Sequence, residues 1–171
     1  HTRCSRDWSS DVCSSDLHAD ILFDREHSID LGGITAHLMC LGVTHTKGDE
    51  EVFVPEDSVL ISGDVVQNKL APALPMMGAS PKSWIAVLDE LQKLNPKIVL
   101  PDHGNFGDGS SIAQEKAFLV DLQTRALALK AEGKSVDEAT QTIDAEFRAK
   151  YQGWQLRGFG VGVQAVYAEG K

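Results

Sequence analysis

The chain has 171 residues, a formal net charge of -9 at pH 7 and 24% charged residues. This length is enough for one domain with a buried core, and no apolar run approaches the length of a membrane span. Because the chain is acidic and has no run of Lys or Arg, we expect it to bind neither nucleic acid nor an anionic membrane surface.

The N-terminal segment is expected to be foreign to the fold. Asp7–Leu17 reads DWSSDVCSSDL, which resembles one translated reading frame of a common sequencing adapter. Such a segment is excluded from fold reasoning, so His1–Leu17 is predicted to pack on nothing, with Trp8 and Val12 outside the core. The alternative is a disordered N-terminus rich in Ser and Asp, which the composition alone would suggest.

Short strands are predicted along the first half of the remaining chain. The candidates are Ala19–Phe23, Ile29–Leu31, Ile34–Leu41, Glu51–Val54, Ser58–Ser62 and Lys97–Leu100. A polar turn is expected at Asp24–Ser28. His37 interrupts one of the apolar runs, and because the run continues on both sides we interpret it as a packed or edge histidine rather than a ligand.

A long loop is predicted at Asp64–Ser80, which contains Pro72 and Pro75. Loops of this length in a compact domain are usually functional or disordered. Since this loop begins at an acidic residue that follows a strand, we expect it to line a site. Met76 and Met77 are flexible apolar side chains that either line a pocket or fill the core, and both interpretations stay open.

Helices are predicted in the second half of the chain. Ser80-Pro81 begins the first one, with Ser as N-cap and Pro at the first helical position. The second spans Ser111 to Glu132, and a capping box at Ser135–Glu138 begins the third. The glycine-rich tail Tyr151–Lys171 is interpreted as packing structure. The order strand, helix, strand predicts α/β packing, with the helix covering a sheet face.

Three side chains that can bind metals each follow a predicted strand: His45, Asp64 and His103. Sites are often built on strand ends and on the loops that leave them. Two imidazoles and one carboxylate suit zinc or a similar divalent ion. Taken singly, each residue is explained as well by an ordinary turn, so the combination carries the hypothesis.

This combination resembles the C-terminal half of the metallo-β-lactamase superfamily. The matching pattern is His-Thr-x-Gly-Asp from His45, an apolar strand that ends in Gly-Asp at Asp64, and a helix followed by a strand that ends in Asp-His-Gly around His103. The resemblance covers about Ile21 to Gly104. It implies an α/β fold, an αββα sandwich with metals at one edge of its two sheets, of which His18–Lys171 would be the C-terminal part.

The resemblance also implies a chemistry. Two zinc ions are expected in the intact parent protein, with His45 on the first, Asp64 bridging or on the second, and His103 on the second. Two metals lower the pKa of a bound water and polarise the scissile group. The resemblance therefore implies a hydrolase that acts on a small-molecule substrate, and lactams, thioesters, lactones, phosphodiesters and sulfate esters all remain open.

One departure limits this interpretation. The superfamily's principal signature, His-x-His-x-Asp-His, occurs nowhere in the chain. We therefore interpret the chain as a C-terminal fragment of a zinc-dependent hydrolase, and expect the fragment itself to be inactive. The alternatives are a non-catalytic binding protein with the same fold, and a plain α/β domain whose His and Asp residues are incidental.

Overall fold

The structure is a computed structural model and describes residues 20–74 and 79–169. The predictions for His1–Leu17, Met76 and Met77 lie outside these described residues. Within the described ranges, no helix combines the length and the apolar character that crossing a membrane requires.

The described residues form a five-stranded sheet, with the strands in chain order from edge to edge. The strands are β1 (Glu26–Asp30), β2 (Thr35–Met39), β3 (Glu51–Val54), β4 (Val59–Gly63) and β5 (Ile98–Pro101). The first three pairings are antiparallel, and β4 pairs with β5 in parallel. Strands β2 to β5 coincide with four of the predicted strands to within three residues at either end.

The first predicted strand and the turn after it are wrong. Residues 20–23 lie outside any strand. Strand β1 covers Glu26–Asp30, so it takes in part of the predicted polar turn and overlaps the predicted strand Ile29–Leu31 at its end. A hairpin turn at Gly32-Gly33, in which the Asp30 carboxylate accepts a hydrogen bond from the Gly32 amide at 2.8 Å, aligns β1 with β2. Backbone pairing with β2 therefore outweighs the polar sequence of this edge strand.

His37 lies within β2, as the sequence indicated. It is directly opposite Ser28 of β1, and the Ser28 hydroxyl lies 2.7 Å from its Nδ1 atom. The side chain is half-buried. A partner within the sheet thus accounts for this histidine without any ligand.

The described residues also contain four helices: α1 (Pro81–Lys93) between β4 and β5, and then α2 (Ser110–Ala131), α3 (Val136–Lys150) and α4 (Gly160–Ala168). The first three are the predicted helices. Capping boxes begin α1 at Ser80 and α3 at Ser135, where each N-cap side chain accepts a hydrogen bond from the backbone of the third helical residue. The tail forms α4 and packs on α2, since a Cβ on Gly162 would lie 2.8 Å from Leu74 and 3.0 Å from Leu122.

The helices cover one face of the sheet. Leu60 of β4 and Val99 of β5 are opposite each other and are buried in one core with Trp84 and Leu88 of α1. Side chains alternate between the two faces of a strand, so their neighbours Ile61 and Ile98 point the other way. These two are 44% and 39% exposed, which leaves apolar side chains on the second face open to solvent.

Candidate metal centre

The parallel pair β4–β5 brings two of the predicted ligands to one edge of the sheet. The pairing of the two strands ends where Gly63 lies opposite Pro101, and the amide of Asp102 donates to the Gly63 carbonyl at 3.3 Å. Both strands therefore end at the same edge of the sheet. As a result Asp64 and His103, which follow these strand ends, become neighbours.

A bulge at the end of β4 directs Asp64 out of the strand. The pairing moves from Ile61–Leu100 to Gly63–Pro101, so Ser62 is an extra residue in β4. Its buried hydroxyl donates to the Val66 carbonyl at 2.9 Å. Gly63 then adopts φ +53, in the left-handed region that glycine enters at little cost. The Gly-Asp sequence thus supplies the turn that presents the carboxylate.

His45 reaches the same edge from the loop between β2 and β3. The Asp49 carboxylate closes this loop, since it accepts hydrogen bonds from the Thr44 hydroxyl and from the Thr46 amide at 2.8 Å. The imidazole ring meets the buried Trp84 ring edge-on, with 6.5 Å between their centroids. The pattern His-Thr-x-Gly-Asp therefore has a structural explanation, in which Asp49 holds the turn that carries His45.

Asp64 lies between the two histidines and presents a different oxygen to each. The Nε2 atom of His45 is 3.6 Å from Oδ2 of Asp64, and the Nε2 atom of His103 is 3.8 Å from Oδ1. The structure thus brings all three predicted residues together on one carboxylate. Whether they bind metal stays a prediction.

The hydrogen bond on the far side of His45 fixes which ring nitrogen is free. Its Nδ1 atom lies 2.9 Å from the Ala73 carbonyl oxygen, which can only accept a hydrogen bond. In the neutral ring Nδ1 therefore carries the proton, and Nε2 turns a lone pair toward the negative carboxylate. A cation between the two groups would remove this repulsion, as in the usual arrangement of a metal-binding histidine.

The spacing of these atoms suits a divalent ion. Two ligands bound to one tetrahedral zinc at about 2.1 Å are about 3.4 Å apart. The separations of 3.6 and 3.8 Å in the structure are slightly longer than this. Together with a donor set of imidazole and carboxylate, this spacing means that the residues present fit zinc or a similar ion.

Two residues near the site were not recognised as part of it from the sequence: Asp102 and Gln67. The Oδ2 atom of Asp102 lies 3.6 Å from His103 Nε2, and ligand atoms of Asp64, Asp102 and His103 all lie within 4.8 Å of one another. The Gln67 amide nitrogen donates to Asp64 at 2.9 Å and to Asp102 at 3.2 Å. The one available signal was the Asp-His pair itself, because it places a second carboxylate at the same strand end.

A buried acid lies behind this loop. Glu115 of α2 is fully buried, and desolvation raises its pKa well above the usual range. The backbone N–H of Gln67 opposes this shift only in part. Burial therefore favours the neutral form of the Glu115 carboxyl group, which lies behind the loop that carries Gln67.

Comparisons of the sequence and the structure with known proteins show which family this chain is similar to. The sequence profile of the metallo-beta-lactamase superfamily matches residues 14–103, and no curated protein matches the chain in sequence. A metallo-beta-lactamase from Pontibacter korlensis is similar in structure, with 26% identity and a TM-score of 0.52 over 60% of this chain and 49% of its own. This chain thus spans about half the length of that protein.

A second similar structure has the same fold at lower identity. The inverting sec-alkylsulfatase Pisa1 from Pseudomonas sp. shares 21% identity, with a TM-score of 0.61 over 83% of this chain and 25% of its own. At this identity the similarity concerns the fold alone. The profile match covers more than half of the chain. The observed α/β fold, a sheet with helices on one face, agrees with this match. The chain therefore belongs to the metallo-beta-lactamase superfamily.

Proposed function

We propose that this chain carries part of the metal centre of a zinc-dependent hydrolase of small-molecule substrates. The observation that supports this most directly is the Asp64 carboxylate, which offers one oxygen to His45 and the other to His103 at 3.6 and 3.8 Å. A carboxylate with an imidazole on each side suits two ions better than one, because its two oxygens can bind different ions. In the proposed centre, Asp64 would therefore bridge the two ions.

Each residue has a distinct task in this proposal. His45 would hold the first ion and His103 the second, with Asp64 shared between them. The Ala73 carbonyl accepts a hydrogen bond from Nδ1–H of the neutral His45 ring, which leaves Nε2 available as the ligand atom, and Gln67 holds the Asp64 carboxylate in place at 2.9 Å. When bound, the ions supply a water of lowered pKa and polarise the group to be cleaved.

This chain alone provides few ligands for two ions. We propose that a His-x-His-x-Asp-His segment of the parent protein supplies the others, in line with a similar lactamase of which this chain covers 49%. The chain as it stands is then expected to bind zinc weakly and to show no useful turnover. An under-coordinated ion without supporting outer contacts is held poorly.

The test compares two proteins made in parallel: this chain, and the product of its gene extended upstream. Bound zinc is measured by elemental analysis after exhaustive dialysis. Turnover is measured on a panel that contains a lactam, a lactone, a thioester, a phosphodiester and a sulfate ester. His103→Ala in the extended protein controls for the metal centre, and His37→Ala controls for loss of a histidine elsewhere.

The proposal predicts zinc and turnover in the extended protein. His103→Ala should lower the bound zinc and abolish turnover, and His37→Ala should keep both. Turnover by the short chain at the level of the extended protein would show that the site is misplaced. An extended protein that binds zinc without turning over any substrate would favour the non-catalytic binding protein. An extended protein that binds no zinc would contradict the metal centre itself.

A further inference from the structure

Asp102 brings a second carboxylate to the His103 side of the cluster. Its Oδ2 atom is 3.6 Å from His103 Nε2, nearly the same separation as that between His103 Nε2 and Asp64 Oδ1, 3.8 Å. One ligand atom from each of these three residues lies within 4.8 Å of the other two. The three atoms thus surround a common point, whereas His45 contacts the opposite oxygen of Asp64.

The two carboxylates are held side by side although their charges repel each other. Both accept hydrogen bonds from a single nitrogen, Nε2 of Gln67, at 2.9 and 3.2 Å. Gln67 is 3% exposed, and its Oε1 atom has no hydrogen-bond partner among the described residues. Leaving a buried amide oxygen unpaired costs about 1–3 kcal/mol. The two hydrogen bonds that the Gln67 amide donates to the carboxylates offset this cost and hold the side chain in this orientation.

We infer that Asp102 is a third protein ligand, with Asp64 and His103, of one metal ion, and that Gln67 positions the two carboxylates for it. The inference rests on the proposed function and adds a residue to that site. It makes the His103 position richer in oxygen than an Asp64–His103 pair would be. Carboxylate-rich sites accept Mn²⁺ as well as Zn²⁺, so Mn²⁺ is a suitable probe of this position.

Direct metal titration tests the inference on the chain as it stands. Mn²⁺ is titrated into the metal-free chain and the free ion is counted by electron paramagnetic resonance; Zn²⁺ binding is followed by calorimetry. The variants are Asp102→Asn, Asp102→Ala and His103→Ala. Asp57→Asn is the matched control, since it removes the same charge from an exposed residue of the β3–β4 turn.

The inference predicts that both Asp102 variants weaken Mn²⁺ binding by at least about 10-fold, as His103→Ala does, and that Asp57→Asn changes it by less than about twofold. Asp102 is partly exposed and its side chain bonds to Gln67, so the thermal midpoint of the metal-free variants should stay close to that of the wild type. If one of the two Asp102 variants has a lower thermal midpoint, the Mn²⁺ affinity of the other one decides the test.

Gln67 has its own variant. Gln67→Met keeps the length of the side chain and removes the donor, and it is expected to weaken Mn²⁺ binding by about 10-fold without changing the number of ions bound. Unchanged affinity in this variant would show that Gln67 does not position the carboxylates.

The outcomes separate this inference from the proposed function. Wild-type chain that binds metal, with Asp102 variants that match Asp57→Asn, would overturn the inference and leave the hydrolase proposal intact. Wild-type chain that binds neither ion, even at millimolar concentration, would overturn the inference, while the extended protein described above still decides the proposed function.

Discussion

The Nε2 atom of His45 lies 3.6 Å from the Asp64 carboxylate, and in the neutral ring this nitrogen is the unprotonated one because Nδ1 donates to the Ala73 carbonyl. Both contacts are needed for the ring to act as a ligand: one fixes its tautomer, and the other places it beside the shared carboxylate. This arrangement shows how a loop distant in sequence takes part in a site built on two strand ends.

Removal of this ring should weaken zinc binding without unfolding the chain. His45→Ala is expected to raise the zinc dissociation constant by at least about 10-fold, because it removes the proposed nitrogen ligand on one side of Asp64. Calorimetric titration measures the change, and His37→Ala, which removes a histidine bonded to Ser28 in the sheet, serves as the control. Equal affinities in the two variants would contradict a ligand role for His45.

Glycine at position 109 is required for the loop that carries His103 to fit. A Cβ at Gly109 would lie 2.6 Å from the backbone carbonyl oxygen of Pro96, closer than any real contact of this kind. Gly109→Ala should therefore lower the free energy of unfolding by about 1–3 kcal/mol, measured by urea denaturation. Gly158→Ala is the control, since nothing lies within 4 Å of its added Cβ; a similar loss in both variants would refute the steric explanation.

Stability should fall as the pH rises, because Glu51 of β3 is buried. Desolvation, reinforced by the nearby Asp49, raises the pKa of Glu51 to about 8 from 4.5. The unfolded chain then loses its proton first, so the free energy of unfolding falls by about 1.4 kcal/mol per pH unit between these two values. Urea denaturation at pH 5, 6.5 and 8 measures this slope.

Glu51→Gln should remove the contribution of Glu51 to this pH dependence. Its free energy of unfolding should therefore rise relative to that of the wild type as the pH approaches 8. Glu115, whose pKa is also raised by burial, keeps a slope of the same sign in the variant. Glu50→Gln changes an exposed neighbour and should leave most of the slope in place. A Glu51→Gln variant with the wild-type slope would show that Glu51 is ionised in the folded chain.

The uncovered sheet face should promote self-association of the chain as it stands. Ile61 and Ile98 are 44% and 39% exposed on this face. Replacing both by Thr keeps β-branched side chains and removes apolar area worth more than about 1.4 kcal/mol, so self-association should weaken by more than about tenfold. Sedimentation velocity measures it.

Leu127→Gln is the comparison for this prediction. It replaces a side chain of α2 that is also 44% exposed, on a helix rather than on the sheet. If all exposed apolar side chains contributed equally to self-association, Leu127→Gln would weaken it as much as a single substitution at Ile61 or Ile98 does. That result would contradict a specific role for the sheet face.

The sequence carried most of the information about the strands and helices that position the site. Strand ends were recognisable at Asp64 and His103 because apolar runs stop there, and Ser80 and Ser135 mark helix starts by local hydrogen bonds. These signals involve residues close together in the chain. The family profile and the observed sheet confirm the fold that they indicated.

The rest depends on contacts between distant residues. The predicted strand Ile29–Leu31 overlaps only the end of β1, and the polar residues before it join the strand through their pairing with β2. Gln67 reaches Asp102 across 35 positions, and its role is visible only once β4 and β5 lie side by side. The Ala73 carbonyl that fixes the His45 ring is likewise a backbone atom, and its position does not depend on the identity of the side chain.

The connection between β4 and β5 has a consequence for the order in which the chain folds. The strands pair in parallel, so α1 and the loop before it must close before Asp64 and His103 can meet. Closing such a loop costs entropy that is recovered only late, which makes parallel pairing slow. A metal ion bound by both residues would therefore slow unfolding more than it speeds folding, and its release would mark the separation of β5 from β4.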